Sequence, residues 1–327
     1  MRRLIAILTL TQPGLAPAVT ADDEISAAVD SGLKIVQKAA FNYAEKRSCF
    51  SCHHQTLPML AMTEARRFGA EIDTALLQEQ ATYTHDFYKD RTGKVAAGEG
   101  VGGRSMTVAY SLWTLDIAGR KPDAVTRALT SYLLTRQEKD GRWKTQSHRP
   151  PLEASHPMAT FLAAYYMEQF SESENEEAIA AANHRATDWL KSSPEKSQED
   201  LNAKLWAALE LEGLAESADP LKEKILANQK PDGGWSQLPG MGSDAYATGQ
   251  SLFVLEKSGL PHDHPAIRRG VTFLLESQYP DGSWFVQTRS KPIQKYFDNG
   301  DPHGKSQFIS IPATSWAIAA LSRWGKK

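Results

Sequence analysis

One short motif limits the possible folds more than any other feature. "QEKDGRW" at 137–143, "QKPDGGW" at 229–235 and "QYPDGSW" at 278–284 all read Gln-x-x-Asp-Gly-x-Trp. The last two start 49 residues apart and the first two 92 apart, close to two periods. A degenerate copy is therefore expected near 183–195, where "HRATDWLKSSPEK" supplies a Trp and a Pro turn. A fixed period of this size marks a repeat architecture, in which each unit buries its apolar face only against its neighbours.

Between the motifs the pattern is helical. "AVTRALTSYLLTRQ" and "AIRRGVTFLLESQ" lead into a motif and carry apolar residues at helical spacing. A loop and a second, more apolar helix follow each motif: "HPMATFLAAYYMEQF", "DAYATGQSLFVLEKSG" and "IPATSWAIAALSRW". Ser155–Thr160 aligns with Ser243–Thr248 at the start of two of these. The unit is helix, Asp-Gly turn, helix. Earlier units use "SMTVAYSLWTLDIAG" and "HHQTLPMLAMTEARRFG" as second helices. The expected class is all-α, with about six helix pairs.

The motif resembles the QW repeats of the terpenoid cyclase and protein prenyltransferase α/α toroids, over most of the chain from about residue 25. That resemblance implies an inner ring of parallel helices wrapped by an outer ring. It gives the motif a scaffold role: Gly permits the tight turn, while Gln and Trp tie one helix end to its neighbour. The familiar activities do not come with it. Triterpene cyclases of this kind use an Asp-x-Asp-Asp motif, which the sequence lacks, and Asp244 in "GSDAYATG" reads as a helix cap. Prenyltransferases hold zinc with Asp, Cys and His from separate repeats, whereas both cysteines here lie in the first repeat. "GEGVGG" at 98–103 has no strand before it and reads as a loop entering a helix. "DNGD" at 298–301 lacks the remaining ligands of a calcium loop. Whether the chain is an enzyme stays open at this point.

The first residues, "MRRLIAILTLTQPGLAPAVTA", have the basic, apolar and small-residue regions of a secretory signal peptide over 1–21. The toroid domain is then expected over 22–327, exported to the periplasm or cell envelope. No later segment is apolar for long enough to span a bilayer. Net charge is −2, about −4 without Arg2 and Arg3, which gives no footprint for nucleic acid.

The two cysteines stand together in "CFSCHH": Cys49-Phe-Ser-Cys52-His53 is Cys-x-x-Cys-His, the c-type haem attachment pattern. Two thiols about one helical turn apart can each add to a porphyrin vinyl group, and the next residue brings an imidazole beneath the iron. One covalent haem c per chain is expected, with His53 as proximal ligand. A local Cys49–Cys52 disulfide or a zinc site with a remote ligand are the competing readings. The whole set, "CFSCHHQTLP", "RPPLEASHPMAT" and "PHGKSQFISIPATSWA", also resembles exported bacterial toroid proteins that pair this haem motif with QW repeats.

In such a ring the inner-helix N-termini share one rim, so Arg104, Glu153, His156 and Asp244 are expected there with the haem. Ring closure sets the last inner helix, about 311–324, beside the first. His303 is the leading sixth ligand, His156 the second, then Met106 or Met158. His54 diverges from His53 by about 100° on a helix and is a candidate for a haem propionate, as is Arg104. The expected function is one-electron transfer with a redox partner protein. Two alternatives stand beside it. One is a haem enzyme acting on peroxide or a small apolar, isoprenoid-like ligand in the cavity. The other is a haem-free binding module with the disulfide.

Overall fold

Every Gln-x-x-Asp-Gly-x-Trp stretch ends one helix and locks it to two others. This holds throughout the computed structural model, which describes residues 21–145, 149–291 and 295–324. The chain runs α1 (Ala21–Lys46), α2 (Leu57–Arg67), α3 (Thr74–Lys89), α4 (Thr92–Ala96), α5 (Arg104–Ile117), α6 (Ala124–Arg136) and α7 (His156–Gln169). It continues through α8 (Glu176–Ser192), α9 (Gln198–Glu210), α10 (Ala218–Ala227), α11 (Ala245–Lys257), α12 (Pro265–Ser277) and α13 (Gln307–Trp324). Among the described residues there is no strand and no helix long and apolar enough to cross a membrane. The expected signal peptide, apart from Ala21, lies outside the described residues.

Six helices, α2, α5, α7, α9, α11 and α13, each touch the next, and α13 packs back on α2 to close the ring. They are buried almost all round, and most are apolar to match, although α9 also buries Gln198, Glu199, Asp200, Asn202 and Lys204. Outer helices such as α12 bury only one stripe, Ala266, Ile267, Gly270 and Leu274. Short polar side chains cap α7, α9 and α11. Asp244 accepts from the Ala247 amide at 2.9 Å, as its reading as a cap requires, and Ser155 accepts from Met158 at 3.0 Å.

The turns repeat to the atom. Gln137, Gln229 and Gln278 donate to the carbonyls of Gly141, Gly233 and Gly282 within their own turns. They also donate to Ala182, Ala266 and Ala28 on the next outer helix. Trp143, Trp235 and Trp284 are fully buried, each indole N–H donating 2.7–2.8 Å back to the helix just ended. Their amides donate to Thr160, Thr248 and Thr314 on the inner helices. At Gly233, φ is +87° and an added Cβ would lie 2.5 Å from the Arg269 carbonyl, so only glycine fits. The Gln278–Ala28 bond joins last repeat to first across 250 positions of sequence.

Inside the ring, Trp113, Trp206, Phe253 and Trp316 meet with ring centroids 5.3–6.4 Å apart. Near the C-terminal ends of the inner helices, buried Arg323 of α13 pairs with Glu64 of α2 at 2.9 Å and with Glu256 of α11. The degenerate copy near 183–195 differs from the others. α8 runs on through Trp189, so that indole is on the helix, and Lys204 of α9 instead donates to the Ser193 carbonyl at 2.7 Å. The last inner helix begins at Gln307, earlier than its apolar run suggests, and carries Pro312 inside it.

Candidate functional site at the Cys49–Thr56 turn

The first inner helix is entered without an Asp-Gly turn. Instead, Cys52–Thr56 form a single π-helical turn whose five residues are all buried. Such turns gather at functional sites. The Ser51 amide donates to Gln55 Oε1 at 2.7 Å. Thr56, in register with Thr160 and Thr248, bonds Thr114 of α5 at 2.7 Å because no Trp amide reaches it.

Both cysteines are free thiols, with separate partners. Cys49 is half-buried, its Sγ 3.2 Å from the Tyr43 hydroxyl. Cys52 is buried, with Sγ 3.6 Å from Glu153 Oε1 and 3.6 Å from His53 Nδ1. Burial, reinforced by the Glu153 charge, pushes the Cys52 thiol up, so it holds its proton. Glu153 is itself buried and is held through its other oxygen by Arg149 at 3.2 Å.

The two histidines differ sharply. His54 stacks on Tyr43 at 4.5 Å, its Nε2 accepts from Asn299 at 2.5 Å, and its Nδ1 lies 3.3 Å from Ser51 Oγ. Burial lowers its pKa to about 3, so it is a neutral structural group with both nitrogens engaged by protein. His53 is equally enclosed, edge-on to Phe308 at 5.2 Å, yet its Nε2 is buried with no hydrogen-bond partner. Burial first, then its neighbours His54 and Arg149, hold it neutral. The Tyr110 hydroxyl is also buried without a partner, and burial pushes its pKa up. Further round the rim, Tyr246 donates to Glu199 at 3.1 Å, and burial beside Asp200 lifts Glu199 to about 8.

The structure thus brings Cys52, His53 and Glu153 together, with ligand atoms within 4.8 Å of one another. Other candidate residues have different neighbours. His303 bonds Ser283 at 2.7 Å on the third Asp-Gly turn, against Tyr279 and Phe285. His156 accepts from the Thr145 amide at 3.2 Å and lines a pocket of about 350 Å³ with Arg142, Trp189, Lys196 and Arg289. Arg104 is exposed at the start of α5 with φ +54°, and Met106 and Met158 are buried.

Two residues gain roles that sequence spacing did not give them. Glu153 was expected at the rim, but nothing in its position paired it with Cys52. Asn299, inside the bland "DNGD", is fully buried as the partner of His54.

Residues 190–327 match the model of the squalene-hopene cyclase C-terminal domain. A squalene–hopene cyclase of Zymomonas mobilis is 31% identical over 103 residues, covering 31% of this chain and 14% of that protein. A lanosterol synthase of Candida albicans is 32% identical over 69 residues, 18% of this chain and 10% of that protein. These stretches are small parts of much longer cyclases. Among solved structures, the type II terpene cyclase MstE from Scytonema superposes with a TM-score of 0.58 at 14% identity, covering 92% of this chain and 98% of that one. A possible GH105 member from Salmonella enterica gives 0.54 at 13% identity, covering 96% of each. Identities this low speak to fold alone, and the fold they agree on matches the closed ring of helix pairs and its QW turns: the chain is a terpenoid-cyclase-like α/α toroid.

Proposed function

We propose that this toroid is an exported c-type haem protein that transfers single electrons to or from a redox partner protein. The observation that carries the reading is His53 Nε2, a buried imidazole nitrogen without a partner directly after Cys52. A buried polar atom left unsatisfied costs about 1–3 kcal/mol, so it calls for a bound ligand or a chemical role. The donor set fits the group. Cys49 and Cys52 are both free to form the thioethers, and His53 is held neutral, the form that binds iron. Haem bound there supplies a one-electron couple whose potential follows axial ligand and burial.

The chain's own residues do the remaining work. Tyr43, Ser51 and Asn299 fix His54, and His54 with Phe308 then fixes the His53 ring. The buried aromatic cluster inside the ring favours electron transfer over an apolar substrate held in the ring centre.

The test is an absorption spectrum, with the intact mass under denaturing conditions, of chain exported by a host with cytochrome c maturation. A Soret band and the added mass of one haem are expected. A colourless chain of apoprotein mass, beside a control cytochrome that matured, overturns the reading.

A further inference from the structure

We infer that the haem-free chain binds one thiophilic divalent cation, of the zinc or cobalt class, through Cys52, His53 and Glu153. This goes beyond the haem reading and does not rest on it. Zinc bonds of about 2.3 Å to sulfur and about 2.0–2.2 Å to nitrogen or oxygen set tetrahedral donor separations of about 3.5 Å. Cys52 Sγ lies 3.6 Å from His53 Nδ1 and 3.6 Å from Glu153 Oε1, so two edges of such a tetrahedron already exist. The donors are sulfur, imidazole and carboxylate, a borderline-soft set that suits zinc or cobalt over magnesium or calcium.

Their surroundings support the same assignment. Glu153 comes from the turn before α7, and Arg149 holds its other oxygen, which leaves Oε1 turned to the sulfur. Binding replaces the Cys52 S–H proton with the cation, and that proton leaves to the buffer. Haem attachment and the cation both need the Cys52 sulfur, so each occupant excludes the other.

The experiment uses the full chain made without haem maturation, kept reduced and titrated with Co²⁺. One equivalent is expected to raise a sulfur-to-cobalt charge-transfer band and the ligand-field bands of a four- or five-coordinate site, both abolished by Zn²⁺. Cys52→Ser should remove the charge-transfer band, and Cys49→Ser should keep it. Glu153→Gln should weaken Co²⁺ binding by at least about tenfold, with an unchanged circular dichroism spectrum. Absence of the band, its loss in Cys49→Ser, or an unchanged affinity in Glu153→Gln overturns the inference. The last outcome decides even if Cys52→Ser does not fold. Because the haem test uses matured, exported chain, either reading can fail alone.

Discussion

At residues 229–235 the chain reverses on Gly233 and bonds its Gln and Trp side chains to neighbouring helices. Gln229 donates to two carbonyls, the Trp235 indole to a third, and its amide to Thr248. At 49–56, before the equivalent inner helix, the chain turns through a π-helical segment that buries a thiol and two imidazoles, with the Glu153 carboxylate set against the thiol. There one nitrogen goes unsatisfied, and the lock is built at a distance, by Asn299 from the far end of the chain reaching His54. The first turn stabilises the ring through local, repeated bonds. The second gives up that arrangement and keeps reactive atoms in its place, as expected where a fold departs from its own rule.

The largest effect should come from breaking a repeated lock. Trp235→Ala removes a fully buried indole and its bond to the Ile225 carbonyl, and should cost about 3–5 kcal/mol. Urea denaturation measures it, and a loss below about 1 kcal/mol would remove the lock from its place in this account. Asn299→Ala probes the other region. It leaves His54 Nε2 buried without a donor and should cost less, about 1–3 kcal/mol. Should the Asn299 variant lose as much as the Trp235 variant, the two turns would be equal contributors and the contrast would fail.

The same contrast explains what was legible in the sequence. The Asp-Gly turns are short-range objects: glycine at positive φ, Gln four residues before it and Trp two after it fall within one heptapeptide. Their spacing therefore predicts the repeat and the helix pairs, and the closed ring follows from the motif's resemblance to QW repeats. The degenerate copy misled only in detail, since Trp189 packs from within α8 and Lys204 replaces the turn's own bonds. The cysteine turn is a long-range object. Cys-x-x-Cys-His shows in the sequence, but Glu153 reaches Cys52 across 101 positions and Asn299 reaches His54 across 245. No local pattern encodes those distances. Ring closure did set the last inner helix beside the first, yet His303 is turned to Ser283 on the third Asp-Gly turn, because a side-chain direction is not fixed by the order of helices.

Glu199, at the head of α9, gives the finest test, because this rim carboxyl is buried and bonded and differs from the cysteine turn only in being satisfied. Burial beside Asp200 raises it to about 8 from an ordinary 4.5. Below about pH 4.5 it is protonated in both folded and unfolded chains, and its contribution to stability is complete. As pH rises towards about 8 the unfolded chain ionises first, so stability falls through that window and the contribution is gone above it. Asp244 and Asp301, both raised to about 6 by burial, add the same sign over a lower range. Glu199→Gln should therefore leave stability little changed near pH 5, where amide and acid both keep the Tyr246 bond. It should flatten the decline in the urea midpoint between about pH 6 and pH 8. Parallel profiles for the parent and the variant would mean that Glu199 ionises in the folded ring, and that this part of the rim is as open to solvent chemistry as the cysteine turn is closed to it.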